Sequence, residues 1–274
     1  MMKKTWLFIA GVAVISQQSG YADVYKWSDP NGRQHYSDHH SAGKILPVNA
    51  GVSYLVVKKV FDGDTLLLTN GQKIRLLGIN TPEVAGPNKR AEAGGEEAKS
   101  WLKRRLENKK VRLEGDVETQ DKYRRRLAYV FAEDKQFVNK ELVRLGLATV
   151  NIYPPNLKYV GTLLEAQNAA EKGAAGIWGN TVYASQPFQS LSAENYHGWK
   201  RISGQIKSVK STHKYSYLIF SESVSLRIEN SSLTLFNGLK EYVGKTVEAR
   251  GWVNKNRDRF ILLIRHPGDL KLLG

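Results

Sequence analysis

Apolar and polar residues alternate in short runs along residues 51–132, as in β-strands that bury one face. Three of the runs are VSYLVVKKV, TLLLTN and QKIRLLGI, and they are separated by Asp62-Gly63 and Asn70-Gly71. Both dipeptides favour the tight turn of a β-hairpin. Two later runs, VRLEGDV and RLAYVFAEDKQFV, return to the same alternation. The pattern therefore predicts a sheet of short strands.

Three other stretches carry apolar residues at the spacing of an α-helix. The first is EEAKSWLKRRLEN, the second runs from Val138 to a stop at Gly146, and the third from Tyr159 to a stop at Gly173. Strands, one helix, more strands and two more helices predict a small β-barrel with helices packed around it.

The C-terminal part of the chain repeats the strand pattern. Residues 181–198 are polar and contain Pro187, which predicts a linker. Residues 199–274 hold five strand candidates, with a short helical stretch after the third. This is the element order of an OB-fold, so we expect a second, small β-barrel in the chain.

The N-terminus has the features of an export signal. A basic start, a short apolar run and small residues precede Asp23, which predicts a signal peptide over residues 1–22. The apolar run is shorter than the ~20 residues that span a bilayer, although an uncleaved anchor is the alternative. We expect a periplasmic or secreted protein without a membrane span after signal removal. Because the chain has no cysteine, its stability depends on burial without disulfides.

Residues 23–48 contain two short aromatic runs around Asp29-Pro30-Asn31-Gly32, which predicts a small β-hairpin module. The stretches YKWSDPNG and HYSD resemble a short domain of unknown function found in secreted bacterial proteins. This resemblance implies no chemistry and no protein partner.

The charge balance indicates a polyanionic partner. The chain has 41 Lys and Arg against 26 Asp and Glu, a formal charge of +15. Such a protein attracts nucleic acid or the anionic cell envelope. Residues 199–274 are the more basic part, and their aromatic rings are either core residues or platforms on which single-stranded bases stack.

Three charged residues lie where strands begin, on faces that continue as apolar. Arg75 shares its face with Leu77, while Asp64 and Arg125 also precede apolar alternation. Each one alone is readily explained as a strand-end charge that reaches water. Together they suggest one paired or ion-bound cluster at the mouth of the barrel, because partly desolvated charges need partners.

Six short stretches in order resemble the thermonuclease family of staphylococcal-nuclease-like domains. They are DGDT, RLLGINTPE, DKYRRRLAY, VNKELVRLGLA, YPPN and GIWG, and they span about half of the chain. The resemblance implies an OB-like five-stranded β-barrel with three helices for residues 51–180. It also implies an endonuclease that cleaves DNA and RNA at the 5′ P–O bond and leaves 3′-phosphoryl ends.

The same resemblance implies a calcium site. Asp64, Asn80 and the backbone carbonyl of Thr81 would hold Ca²⁺, a hard cation that takes oxygen ligands. The staphylococcal member has Asp in place of Asn80, and the amide brings no charge, so we expect weaker calcium binding. Asn151 likewise stands in place of a second tyrosine of that member.

The remaining residues of the implied site act on water and on the substrate. Glu83 would be the general base, while Arg75 and Arg125 would bind the phosphate and its transition state. The residues that would line the nucleotide site are Lys122, Tyr123 and Tyr153. We therefore predict a calcium-dependent endonuclease of low sequence specificity that prefers single strands. The alternative is a non-catalytic protein that binds nucleic acid or other polyanions through a degenerate metal site.

Overall fold

The computed structural model describes residues 53–86 and 90–273, together with the backbone of three short strands nearer the N-terminus. The chain divides into two compact units, Met1–Ser53 and Tyr54–Gly274. The predicted signal peptide, residues 1–22, lies outside the described residues.

The first unit contains the predicted hairpin and one additional strand. Strand β1 pairs antiparallel with both β2 and β3. The bounds are β1 Val24–Ser28, β2 Gln34–Ser37 and β3 Leu46–Val48.

The first half of the second unit is a closed barrel with the strand order β4-β5-β6-β9-β8. Its strands and the short pair beside it are β4 Leu55–Val60, β5 Thr65–Leu68, β6 Lys73–Leu76, β7 Ile79–Asn80, β8 Lys110–Glu114, β9 Arg126–Ala132 and β10 Thr149–Val150. Neighbouring barrel strands run antiparallel except β6 and β9, which run parallel. The predicted five-stranded barrel is thus confirmed.

Three α-helices accompany the barrel, as predicted: α1 Gly95–Leu106, α2 Val138–Arg144 and α3 Val160–Lys172. Across the described residues, none of the helices has the length and apolar character needed to cross a bilayer. The core joins barrel strands and helices, and its fully buried members include Leu66, Ile74, Leu102, Tyr129, Leu142 and Leu163.

A buried asparagine connects helix α2 to the barrel. Oδ1 of Asn139 accepts the backbone N–H of Val130 at 2.9 Å, and its Nδ2 donates to the carbonyl of Leu77 at 2.8 Å. Asn139 is fully buried, so both bonds replace contacts with water.

The structure differs from the sequence pattern where one strand was expected over 72–79. Gly78 has φ +75°, a backbone conformation that interrupts the strand and leaves β6 and β7 as separate elements. A Cβ added there would also lie 2.5 Å from Leu163 of α3. Strand β7 pairs instead with β10.

The second sheet has the predicted OB order. It is an eight-stranded sheet with the path β11-β12-β16-β17-β15-β14-β13 and with β18 beside β16, where a small barrel was expected. Strands β12 and β13 together cover the first predicted strand, so this one run of chain lies near both ends of the path. As in the first barrel, the third and fifth predicted strands, β15 and β17, run parallel. The strands are β11 Gln186–Pro187, β12 Trp199–Gln205, β13 Ser208–Ser211, β14 Tyr215–Ile219, β15 Val224–Glu229, β16 Thr246–Asn256, β17 Arg259–Ile264 and β18 Leu270–Leu272.

The stretch predicted as a linker packs against this sheet. Phe188 is buried, and its ring stacks on Phe220 with 4.9 Å between centroids. Strand β11 pairs with β12, and Phe188 belongs to the second core.

A buried ion network joins the second sheet to helix α3, which accompanies the first barrel. Arg250 of β16 binds Glu171 of α3 through both terminal nitrogens, at 2.6 and 2.9 Å, and binds Glu248 through Nε at 2.7 Å. Arg201 of β12 binds Glu248 with two further bonds of 3.0 Å. The side chains of Arg250, Glu171 and Glu248 are less than a tenth exposed.

Candidate active site

Asp64 and Arg75 form the centre of the site. Asp64 directly precedes β5, and Arg75 lies on the adjacent strand β6, where it pairs with Thr65. The carboxylate Oδ2 of Asp64 lies 3.0 Å from Nη2 of Arg75 and accepts the backbone N–H of Thr81 at 3.0 Å. Asp64 is buried, and its partners offset the cost of removing the charge from water.

The guanidinium of Arg75 is fixed on one side by the backbone. Its Nη1 donates to the carbonyls of Leu76 and Ile79, at 2.6 and 2.9 Å. The neighbouring residue Leu76 is buried in the core whereas Arg75 is half-buried, so Arg75 faces away from the core. The cluster therefore lies on the outer side of the barrel wall. The sequence pattern predicts it at the mouth of the barrel instead.

Arg125 joins the same cluster through a threonine. Its Nη1 lies 3.4 Å from Oγ1 of Thr65, which donates to Oδ1 of Asp64 at 3.1 Å. Its Nε donates to Asp121 at 2.7 Å. Burial would raise the pKa of Asp121, but the hydrogen bonds from Arg125 outweigh burial and hold that pKa below its ordinary value.

Lys122 and Tyr123 lie on the exposed loop before Arg125. The Nζ of Lys122 is 5.0 Å from the centroid of the Tyr123 ring, and the central carbon of Arg125 is 5.5 Å from it. Asp121 shapes this loop, because its Oδ1 accepts the backbone N–H groups of Tyr123 and Arg125. The ring is 68% exposed and offers a face to a substrate base.

Asn80 and Thr81 bring two uncharged oxygens to the cluster. Oδ1 of Asn80 accepts from Nη2 of Arg75 at 3.1 Å, and Nδ2 of Asn80 donates to the carbonyl of Thr81 at 3.0 Å. These two partners fix which side of the amide carries the oxygen. With Asp64 they form a set of hard oxygen donors, the kind that Ca²⁺ takes.

Glu83 lies two residues beyond Thr81 and lines the same cavity. Its backbone is held by Glu92, because the N–H of Glu83 donates to Glu92 Oε2 at 2.9 Å and the carbonyl of Glu83 accepts the N–H of Glu92 at 2.8 Å. The turn that carries Glu83 is thereby fixed at the start of α1.

Tyr153 is half-exposed and lines the cavity beside Asn151. Both meet a residue from the second sheet, Arg265, whose guanidinium stacks on the Tyr153 ring and donates to Asn151. All nine predicted site residues thus lie on or beside one cavity of about 1300 Å³.

Other residues line this cavity without being expected from the sequence, among them Asp62, Trp252 and Arg265. Asp62 had been assigned only to a turn. Burial, together with the charge of Asp64, raises the pKa of Asp62 to about 6. A second carboxylate beside a proposed metal ligand is detectable from the spacing of DGDT, whereas the approach of Trp252 and Arg265 depends on tertiary docking.

Among the described residues, no three His, Cys, Asp or Glu side chains are grouped closely enough to hold a metal. The candidate set at Asp64 differs in kind, since one carboxylate is joined by an amide oxygen and a backbone carbonyl. Calcium accepts such mixed oxygen ligands together with water. The chemistry of these donors therefore fits a calcium ion.

Two stretches of the chain match known protein families. Residues 73–180 match the family described as Staphylococcal nuclease homologue, and residues 12–93 match a Domain of unknown function (DUF4124). The second match confirms the resemblance seen near the N-terminus.

Individual relatives cover the same region. The chain is 45% identical over 131 residues to the Thermonuclease of Staphylococcus intermedius, covering 47% of this chain and 77% of the relative. It is 40% identical over 135 residues to the Thermonuclease of Staphylococcus hyicus, covering 48% and 79%. It is 34% identical over 174 residues to Endonuclease YncB of Bacillus subtilis, covering 58% and 82%. The chain belongs to the staphylococcal nuclease family.

Proposed function

We propose that this member of the staphylococcal nuclease family, a hydrolase of phosphodiester bonds, is an exported calcium-dependent endonuclease. It cleaves DNA and RNA with little sequence specificity and prefers single strands. The observation that carries the proposal is the chain of contacts from Arg125 through Thr65 and Asp64 to Arg75. One acidic and two guanidinium groups, distant in sequence, share one cleft.

Asp64, Asn80 and the carbonyl of Thr81 are the proposed calcium ligands. A bound calcium ion supplies Lewis-acid polarisation of a phosphoryl oxygen and a position for water. The protein provides the oxygens and fixes them: Thr81 N–H and Arg75 hold the Asp64 carboxylate, while Arg75 also holds the Asn80 amide.

Arg75 and Arg125 bind the substrate phosphate. Attack on phosphorus adds negative charge to the phosphoryl oxygens, and planar guanidiniums hold two oxygens at once without losing their proton at neutral pH. The bonds of Arg75 all involve its terminal nitrogens Nη1 and Nη2. Nε has no hydrogen-bond partner among the described residues, so this N–H can donate to an anion. Stabilisation of developing charge is usually the largest catalytic contribution.

Glu83 removes the proton from the attacking water. The water oxygen forms a new bond to phosphorus, the bond from phosphorus to the 5′ oxygen breaks, and that oxygen leaves with a proton as a 5′ hydroxyl. The phosphate stays on the 3′ side. Tyr123 and Tyr153 offer exposed rings to neighbouring bases, and rings accept any base, which supports low specificity. Export is supported by the predicted signal peptide.

The test is cleavage of single-stranded and double-stranded DNA and of RNA, with calcium or with a chelator. Wild-type protein is expected to cut only with calcium, and Glu83→Gln to lose about 10²–10⁴ in rate. Glu92→Gln, which also alters a carboxylate at this turn, is the matched control and is expected to lose much less. Full calcium-dependent activity in Glu83→Gln would remove Glu83 as the base.

One observation favours the alternative, a protein that binds nucleic acid without cutting it. Nδ2 of Asn80 donates to the very carbonyl of Thr81 that is proposed as a calcium ligand. That contact competes with metal binding. Tight DNA binding without cleavage at high calcium would establish this alternative and refute the enzyme.

A further inference from the structure

Part of the cleft wall comes from the second sheet. Trp252 of β16 and Arg265, which directly follows β17, line the same cavity as Asp64 and Arg75. Both side chains are half-buried. Residues that the chain order places far from the nuclease motifs therefore border the proposed phosphate site.

The guanidinium of Arg265 is held by a ring and an amide and not by a direct ion pair. Its central carbon lies 3.8 Å from the centroid of the Tyr153 ring, and its Nη1 donates to Oδ1 of Asn151 at 3.1 Å. Within the described residues no carboxylate reaches ion-pair distance of this guanidinium, whereas Arg75 pairs with Asp64. A half-buried, unpaired guanidinium in a cleft is a place for an anion.

This part of the wall is held in place before any substrate arrives. The backbone N–H of Arg265 donates to Oδ2 of Asp269 at 2.9 Å. On β16, Arg250 lies two residues before Trp252 and is locked to Glu171 of the nuclease barrel. A preformed wall lowers the ordering cost of binding.

One face of the second sheet continues away from the cleft as a row of basic and aromatic residues. Leu263, two residues before Arg265, pairs with Arg227, which pairs with Tyr217, which pairs with Lys210. Directly opposed residues of neighbouring strands share a face. Their sequence neighbours on β15 and β17 are buried, so the row faces outward. With strands about 4.8 Å apart, the row is long enough for a few nucleotides.

Arg227 in this row is poised for an anion. Its central carbon lies 4.7 Å from the centroid of the Tyr215 ring, and its Nε is buried without a hydrogen-bond partner among the described residues. Its two terminal nitrogens form no hydrogen bond within the described residues and are not buried, so they are the atoms that a phosphate oxygen can reach.

Arg227 lies on the strand of the second sheet that corresponds, in strand order, to the strand of Arg75 in the first barrel. Each arginine lies on the third strand, between the antiparallel second strand and the parallel fifth strand. The opposed residues are Thr65 and Leu127 for Arg75, and Tyr217 and Leu263 for Arg227. The second sheet therefore also presents a guanidinium on its third strand, the strand that carries the proposed phosphate-binding Arg75 in the first barrel.

We propose that the second sheet extends the nuclease cleft into a binding track for single-stranded nucleic acid. Trp252 stacks on a base near the scissile linkage, and Arg265 and Arg227 hold successive phosphates. Stacking requires an unpaired base, so the track takes single strands. The position of the scissile linkage rests on the proposed function, whereas binding along the track does not require cleavage.

The test measures binding of a fluorescent oligothymidylate of about 20 nucleotides, in chelator, over a series of salt concentrations. Arg265→Gln and Arg227→Gln are each expected to weaken binding about tenfold and to lower the salt slope by about 0.7. Lys245→Gln, which removes one exposed charge directly before β16, is the matched control. Arg265→Lys is expected to keep the salt slope while losing the affinity contributed by the planar stack on Tyr153.

Each outcome decides one proposal separately. If Arg265→Gln and Arg227→Gln both bind like Lys245→Gln, the track is refuted, even when the wild type cuts DNA. If both variants bind weakly and the wild type does not cut with calcium, the track stands and the nuclease proposal fails. Circular dichroism verifies folding, and Arg227→Gln decides alone if Arg265→Gln does not fold.

Discussion

Replacement of Arg250 by methionine tests the network that joins the two barrels. Arg250 makes three bonds of 2.6 to 2.9 Å to Glu171 and Glu248. Without it, Glu248 keeps both bonds to Arg201, but Glu171 keeps only Arg201 at 3.7 Å and the half-exposed Lys271 at 3.5 Å. A buried carboxylate then lacks a close partner.

The expected loss in the free energy of unfolding is about 3 kcal/mol, at the lower end of the range for breaking a buried pair, because Arg201 and Lys271 remain. The double variant Arg250→Met, Glu171→Leu removes both members of the tightest pair. It is expected to lie within about 1 kcal/mol of the wild type, since apolar replacements of a whole buried pair are often neutral.

Urea unfolding followed by tryptophan fluorescence measures both values. Arg144→Gln is the control, because Arg144 pairs with Glu141 on the surface and such pairs contribute ~0–1 kcal/mol. A loss below about 1 kcal/mol for Arg250→Met, or a double variant less stable than the single one, would refute the idea that Glu171 depends on Arg250.

Three other changes have defined outcomes. Asn139→Ala leaves the buried N–H of Val130 and the buried carbonyl of Leu77 unpaired. Urea unfolding should therefore show that the free energy of unfolding falls by about 2–4 kcal/mol, and a fall below about 1 kcal/mol would contradict the bridging role. Asn80→Asp adds a ligand charge and removes the donor to the Thr81 carbonyl, so the calcium concentration for half-maximal cleavage should fall roughly tenfold; an unchanged requirement would exclude position 80 as a ligand. Burial raises the pKa of Asp269 to about 6. Between the ordinary pKa of an aspartate and about 6, the folded state therefore binds more protons than the unfolded state. Because of this difference, Asp269 lowers the free energy of unfolding as the pH rises through that window. The free energy of unfolding of Asp269→Asn, relative to that of the wild type, should therefore rise by up to roughly 3 kcal/mol between ~pH 4 and ~pH 7. If this difference between the two proteins does not depend on pH, Asp269 does not titrate in that window.

The strands, helices and most of the cluster could be predicted because their signals are local. Asn70-Gly71 predicted a hairpin turn, and Gly71 indeed has φ +85°. Helix α3 ends at Gly173 as the apolar spacing required. Strand alternation and the family motifs also sufficed to bring Asp64 and Arg75 together.

The rest depends on contacts that the sequence does not encode locally. The sequence around Gly78 has the pattern of a continuous strand. The close approach of α3 to Gly78 becomes visible only in the folded structure. Arg265 meets Asn151 across 114 residues, and only the docking of the second sheet on α3 creates that contact. The segment around Phe188 is polar on average, yet one buried ring attaches it to the second core.

Arg75 and Arg227 lie on corresponding strands, but what precedes their opposed residues implies different roles for the first barrel and the second sheet. Asp64 precedes Thr65, the residue opposite Arg75, whereas Ser216 precedes Tyr217, the residue opposite Arg227. The second sheet can hold a sugar-phosphate chain but has no acid directly before the residue opposite Arg227. The first barrel would then bind and cut a strand, whereas the second sheet would only position it.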